Sequence, residues 1–573
     1  MNGVVEQDQA NVQVRWGIRI PLRDGIQLSG ALYLPKGPVQ PSPVILTLTP
    51  YVGQTYHDQG VYFAACGYPF LAVDVRGRGN SEGDFRPLIQ EAQDGFDAVE
   101  WVARQPYCDG QVAMWGGSYA GYDQWATAKE LPPHLATVIP VAAAYAGVDF
   151  PIRNNIAVPY IMQWLTFVSG RTLQDVVFAD QNLWKQQFRR WFESGAPFKE
   201  LDILIGNPSS IFQEWISHPE RDDYWDNHNP SARQYSKILI PILTITGIYD
   251  SDQPGALAHY REHLKNCPDA CHFLVIGPWD HAGTRNPKQE FCGLKVGPAS
   301  LVDLRRLHVE WYSWTMKHGP SPTFLKNNVA YYVMGAEQWR YARSLDSVTT
   351  LVVPFYLESN LNPSDVFKSG SLVRERLQSE GRQDCYIYDP NDIDLAWIEC
   401  ILEPGNRTDQ RMIYASSGRQ LIYHSEPFDK EVEIAGFFKF SAWISIDRPD
   451  TDFRVSIYEI DLDGTSTLLS ADSIRARYRK SLREAELIRT RDPLRYDFQR
   501  FTFVARQMKK GSRLRLAIGP INSIFSQKNY NSGGIVAEES IQEAQPVTVK
   551  LWHDESHPSV LHVPFGRSEI SRL

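Results

Sequence analysis

The chain has 573 residues, 43% of them hydrophobic and 22% charged, which is too long for one hydrophobic core and divides into two to four globular domains. A net charge of −9, with no basic stripe carrying interleaved aromatics, excludes a general nucleic-acid binder. No apolar run approaches the roughly 18–20 residues needed to span a bilayer, and the N-terminus has no basic region followed by an apolar one; a cytoplasmic protein without membrane contact is expected.

The first elements alternate: VQVRWGIRIPL and IQLSGALYLP flank Arg23-Asp24-Gly25, an Asp-Gly turn signal for a β-hairpin. The pattern then changes to short continuous apolar runs, VILTLT (44–49), FLAVDV (70–75) and QVAMW (111–115), as expected of strands buried on both faces. Between the last two, Ala92, Phe96, Val99 and Ala103 fall at helical spacing. Strands alternating with helices imply a parallel sheet, and PILTITG (241–247) and CHFLVIGP (271–278) read as two more of its strands.

Residues 146–238 lack this pattern. There LWKQQFRRWF puts Trp184, Phe188, Trp191 and Phe192 on one helical face, the signature of a helical cap or of a stripe that only packs on the core. From 349 onward short alternating runs without intervening helices, among them LVVPFYL, FRVSIYEI, RLRLAIG and PVTVKLWH, predict a β-sandwich or jelly roll. The expected division is therefore 1–145 and 239–348 for the two parts of an α/β core, 146–238 for the cap and 349–573 for the all-β domain.

The chemistry centres on VAMWGGSYAGYDQWATA, where a strand-like run breaks at Gly116 and Gly117, shows Ser118, and continues as a helix past Gly121. Small residues suit a strand-to-helix elbow that holds a nucleophile in a strained turn, although Ala120 stands where the G-x-S-x-G pattern has its second glycine. Such a serine needs an acid and a histidine after it in chain order. Asp250 follows the strand PILTITG and His281 follows HFLVIG, both at strand ends where ligands gather in open parallel sheets.

The pieces TPY (49–51), DVRGRGNSEG (74–83), WGGSYAG (115–121), IYD (248–250), GPWDH (277–281), VMGAEQW (333–339), PFYL (354–357), IYDP (387–390) and NYNSGG (529–534) span nearly the whole chain, which resembles the bacterial cocaine esterase family. That family is similar to α-amino-acid ester hydrolases and Xaa-Pro dipeptidyl peptidases. The resemblance implies an α/β-hydrolase core with a helical cap insertion and a C-terminal all-β jelly-roll domain. By position it makes Ser118 the nucleophile, Asp250 the orienter and His281 the base, with an oxyanion hole from the Tyr51 hydroxyl and the Tyr119 backbone N–H.

Asp252 departs from the cocaine-esterase pattern, which tends to have an aromatic there; α-amino-acid ester hydrolases carry acidic residues just after the catalytic aspartate. Asp252, with Asp149 as a second carboxylate near the mouth, therefore tilts the expectation towards an amino-bearing, cationic substrate, although Asp252 could equally cap the next helix and Asp149 could be a loop residue. The expected activity is a serine hydrolase acting on a small-molecule carboxylic ester or amide through an acyl-enzyme. An acyltransferase, an Xaa-Pro peptidase and a non-catalytic binding protein are the alternatives. No cofactor and no metal are expected: Cys267 and Cys271 lack a second pair, and His259 and His263 lack HExxH context and read as a helix face. GRGNSEG has the wrong spacing for a dinucleotide loop and reads as turns. Oligomeric state is not legible.

Overall fold

The Asp24-Gly25 turn joins β1 (Val12–Pro21) and β2 (Gln27–Pro35) into an antiparallel pair in which Pro21 lies opposite Gln27. In the computed structural model, which describes residues 11–38, 40–376, 382–403 and 405–566, the apolar runs that follow become β3 (Ser42–Thr49), β4 (Phe70–Asp74), β5 (Cys108–Gly117), β6 (Leu135–Val141), β7 (Ile242–Tyr249) and β8 (His272–Asp280). A hairpin outside the runs read as strands, β9 (Val329–Val333) and β10 (Gln338–Ala342), completes a sheet of order β1-β2-β4-β3-β5-β6-β7-β8-β9-β10. From β4 to β9 every neighbouring pair is parallel.

The strand period of two sorts the apolar residues onto two faces. Leu46, Leu48, Leu71, Val73, Val112 and Met114 join one core, while Ile45, Phe70, Ala72, Ala113 and Trp115 join the other. Burying each such aliphatic side chain contributes about 1.5–3 kcal/mol. Helix α1 (Glu91–Ala103) packs Ala98, Val99 and Val102 on the first face, and α2 (Tyr119–Ala128), buried along its whole length, lies beside it.

Between β6 and β7 the chain forms short helices, among them α3 (Tyr160–Phe167) and α4 (Gln181–Ser194). Asp180 caps α4 by accepting a hydrogen bond from Leu183 N at 2.9 Å. The α4 aromatics Trp184, Phe188, Trp191 and Phe192 are buried with Phe198, Phe212 and Trp215, in a core that also takes in Tyr119 and Tyr122 of α2 and Ile524 and Ala537 of the C-terminal region. After β7 comes α5 (Gln253–Asn266), whose His259 and His263 are buried: His259 stacks on Trp125 and His263 Nδ1 lies 2.9 Å from His272 Nδ1.

From Leu351 onward, thirteen strands pair into one predominantly β domain. Two short helices, Ala396–Ile401 and Arg411–Ala415, interrupt it, so the expected run of strands without intervening helices is not what the chain forms there. This domain grips the first residue of α5: Phe503 N donates to Gln253 Oε1 at 2.6 Å, and Gln253 Nε2 returns a bond to Phe503 O at 3.3 Å. All seven cysteines are free thiols, and no helix among the described residues is long and apolar enough to cross a membrane.

Candidate active site

Ser118 sits between β5 and α2 with φ 62° and ψ −126°, a backbone conformation that costs a non-glycine residue about 1–3 kcal/mol. It is fixed by neighbours: Ser118 N donates to Val141 O at 2.9 Å, while Gly121 N and Tyr122 N donate to Ser118 O. Two glycines give the elbow its clearance. A Cβ on Gly121 would stand 2.8 Å from Val141 O, and one on Gly116 would stand 2.6 Å from Ala120 Cβ. Ala120 is tolerated in the motif's second glycine position because Gly116 faces it. As the first residue of α2, Tyr119 has a backbone N–H with no intrahelical acceptor, at the positive end of the helix.

The acid and the histidine come together through strand register. Gly247 pairs with Gly277 and Tyr249 with Asp280, so β8 carries one residue more than β7 over this step. The bulge at Pro278-Trp279 re-aims the strand end, and Asp250 and His281 emerge side by side. Both glycines are required: a Cβ on Gly247 would lie 2.1 Å from Trp279 O, and one on Gly277 would lie 2.3 Å from the Trp279 ring. His281 Nδ1 donates to Asp250 Oδ1 at 2.7 Å. Asp250 is buried and also accepts from Asp252 N at 3.0 Å and Thr246 Oγ1 at 2.8 Å.

Burial opposes the charge on Asp250, but the facing His281 and these hydrogen bonds outweigh it and hold the carboxyl below its usual range. Burial likewise disfavours a charged His281, yet Asp252 and Asp250 together raise its pKa above the ordinary histidine value. Asp252 Oδ2 lies 3.8 Å from His281 Nδ1, and burial pushes the Asp252 carboxyl up to about 6. Asp252 occupies the N-cap position of α5 but its side chain makes no capping bond. That role falls to Asp149, whose Oδ2 accepts from Gly255 N at 2.6 Å and whose Oδ1 accepts from Tyr145 N at 2.9 Å. Burial and the facing Asp252 raise the Asp149 carboxyl well above its ordinary value.

Tyr51 Oη lies 3.4 Å from Ser118 Oγ and receives a hydrogen bond from Trp164 Nε1 at 3.2 Å. Burial raises the Tyr51 pKa, which keeps the hydroxyl protonated and able to donate. The Trp164 ring also stacks on Tyr119 at 5.3 Å, so one α3 side chain touches both Tyr51 and Tyr119. The Tyr119 hydroxyl points away from Ser118 and donates to the buried Glu91 Oε1 at 2.5 Å. Trp164 and Arg285 were missed in the sequence: Trp164 was one aromatic in an aromatic-rich region, and Arg285, within 2.6 Å of where a Gly117 Cβ would be, lies in a loop with no motif.

Among the described residues, Ser118 Oγ pairs with Tyr51 Oη and His281 Nδ1 with Asp250, and no hydrogen bond joins Ser118 to His281. Asp250, Asp252 and His281 offer ligand atoms within 4.8 Å of one another, but the short His281–Asp250 bond already joins two of them.

Residues 24–283 match the X-Pro dipeptidyl-peptidase (S15) family, and residues 325–533 match the X-Pro dipeptidyl-peptidase C-terminal non-catalytic domain. The chain is similar to the cocaine esterase of Rhodococcus sp. (strain MB1 Bresler), at 25% identity over 97% of this chain and 99% of that one. A Mycobacterium bovis protein named as a serine esterase is 30% identical over 80% of each chain. Among solved structures, an α-amino acid ester hydrolase superposes with TM-score 0.83 at 18% identity and a thaumarchaeal aminopeptidase with TM-score 0.82 at 20% identity, each covering 97% of both chains.

The protein is thus a serine hydrolase, built on the α/β arrangement its solved neighbours share. Within that class the chain belongs to the cocaine esterase-like serine hydrolases.

Proposed function

We propose that the protein hydrolyses a carboxylic ester or amide through a Ser118–His281–Asp250 triad, with Tyr51 and Tyr119 forming the oxyanion hole and Asp252 favouring substrates that carry an amino group. The observation that carries this reading is the pair of contacts at the strand ends: His281 Nδ1 to Asp250 Oδ1 at 2.7 Å, and Tyr51 Oη to Ser118 Oγ at 3.4 Å. In this reading the chain divides at 145, 238 and 348 into a split α/β core, a cap and a jelly roll.

His281 Nε2 takes the Ser118 proton as Oγ attacks the carbonyl carbon. The carbonyl π pair moves to oxygen, where the Tyr51 hydroxyl and the Tyr119 N–H stabilise it. Asp250 holds Nδ1–H in place and stabilises the imidazolium. Collapse of the intermediate breaks the bond to the leaving oxygen or nitrogen, which receives the proton from His281. Water, deprotonated by the same imidazole, then attacks the acyl-enzyme and releases the acid.

Asp149 spends both oxygens on backbone N–H groups, so its part in substrate binding is indirect, through the field it shares with Asp252. A second reading, cleavage of an amide next to a free amino terminus, is favoured by the same Asp252 carboxylate in a chain that matches the S15 family. Hydrolysis of matched neutral esters, amino-acid esters and Xaa-Pro amides by wild type, Ser118→Ala and Asp252→Asn separates these readings. Ser118→Ala should lose more than about 10⁴-fold in kcat on every substrate. Asp252→Asn should raise KM selectively for the amino-bearing ones. Equal effects of Asp252→Asn on neutral and amino esters would remove the amino-group preference.

A further inference from the structure

A hairpin at the start of the cap carries an arginine into the β domain. Its strands, Ile152–Arg153 and Ile156–Ala157, are joined by Asn154 and Asn155 at φ 52° and 63°, the residue type that two-residue hairpin turns prefer. The turn is clamped from the other side: Asn154 Nδ2 donates to Asp472 Oδ1 at 3.0 Å and Asn155 Nδ2 to Leu482 O at 2.7 Å. Arg153 is thereby held at the wall of a cavity of 300 Å³ that Arg454 also lines, together with Glu399, Asp472, Ser473, Ser523 and Ser526. None of Tyr51, Ser118, Asp250, Asp252 or His281 lines it.

Neither guanidinium has a hydrogen bond or an ion pair among the described residues, and the two repel each other. Arg153 has Asp472 and, more weakly, Asp149 in its field, and Glu399 faces Arg454, but all three carboxyls are already engaged by hydrogen bonds. Asp472 accepts from Asn154 Nδ2, Ser473 N and Arg500 N; Glu399 accepts from Ser523 Oγ and Ile524 N, each at 2.7 Å. Burial raises the pKa of both acids, which weakens the compensation further. Two unpaired arginines in one partly enclosed space form a planar, multidonor cradle suited to an oxyanion. An adjoining cavity of 250 Å³ shares Glu399, Arg454, Ala471, Ile521 and Ser523 with the first; Asp389, Asp392 and Arg419 stand on its wall, and Leu395, Met412, Ile413 and Tyr458 give it an apolar side.

We propose that this cleft between cap and β domain is a binding site for a small organic carboxylate, its charged group held by Arg153 and Arg454 and its apolar body extending into the neighbouring cavity. Its lining includes none of the side chains proposed to act on the substrate at Ser118.

Calorimetric titration with benzoate, benzamide and acetate tests it. Benzoate should bind the wild-type protein, with benzamide and acetate at least about tenfold weaker, one lacking the charge and the other the apolar body. Arg454→Gln, at an exposed position that folding tolerates, and Arg153→Gln should each weaken benzoate at least about tenfold, whereas Ser118→Ala should leave its affinity unchanged. The proposal is overturned by no benzoate binding to roughly 10 mM, by benzamide or acetate binding equally well, or by benzoate affinity that survives both arginine changes or falls with Ser118→Ala.

Discussion

Asp149 caps α5 from outside the helix, its Oδ2 accepting a 2.6 Å hydrogen bond from Gly255 N, and this leaves the residue at the cap position itself, Asp252, turned towards His281. Gly255 is part of the arrangement, since a Cβ there would lie 2.2 Å from Asp149 Oδ2. A carboxylate that would ordinarily be consumed by a helix end is thus kept beside the histidine. Asp149→Ala strands two N–H groups and should cost about 1–3 kcal/mol per lost partner, read as a lower urea midpoint with an unchanged m-value. An unaltered midpoint would mean that the cap carries no stability.

The Asp252 charge has a signed consequence for pH dependence. In the proposed reaction His281 must be neutral to act as base, so the acidic limb of kcat/KM should follow its pKa. Asp252 raises that pKa by stabilising the imidazolium. Removing the charge in Asp252→Asn lowers it, so on a neutral ester the acidic limb should move to lower pH. A limb that stays in place, or moves up, would show that Asp252 does not act on His281.

In the proposed reaction Trp164 connects the cap to the oxyanion hole, because its Nε1–H occupies an acceptor position on Tyr51 Oη and leaves the tyrosine's own proton free to donate. Tyr51→Phe should lower kcat by about 10²–10³, the usual effect of losing one oxyanion donor. Trp164→Phe retains an aromatic ring against Tyr119 and loses only the N–H. It should lower kcat by a smaller factor, with KM for a small neutral ester nearly constant. A change confined to KM would make Trp164 a substrate contact alone.

The elbow's tolerance of Ala120 can be tested as a cycle. Gly116→Ala sets two β-carbons 2.6 Å apart and should cost about 1–3 kcal/mol in unfolding free energy. Adding Ala120→Gly removes that clash but not the 2.9 Å approach to Ala120 O, so rescue should be partial. Simple additivity of the two changes would contradict the facing-pair explanation.

Much of the scaffold is legible because its signals are local. The runs 44–49, 70–75 and 111–115 carry the apolar pattern of two-face burial and fall within or beside β3, β4 and β5; Asp24-Gly25 marks its hairpin outright. The S15 family match agrees with the motif-based resemblance to cocaine esterases. What the sequence hid is relational. Gly247 and Gly277 look like ordinary strand glycines until the bulge between them is seen, and nothing local distinguishes Asp149 as a cap for a helix a hundred residues away. Trp164 is one tryptophan among 16, and its N–H matters only because Tyr51 arrives beside it from the end of β3. The helices at 396–401 and 411–415 are too short for periodicity to announce them.

Attack of Ser118 Oγ on the substrate is the step on which the proposed reaction rests. Intact-mass and peptide-level analysis of the folded protein after treatment with a fluorophosphonate tests it most directly. One adduct on Ser118, absent in Ser118→Ala and slowed in His281→Ala, is the expected result. A folded, hydrolytically active wild-type protein that takes up no label, or takes it up on another residue, would contradict it.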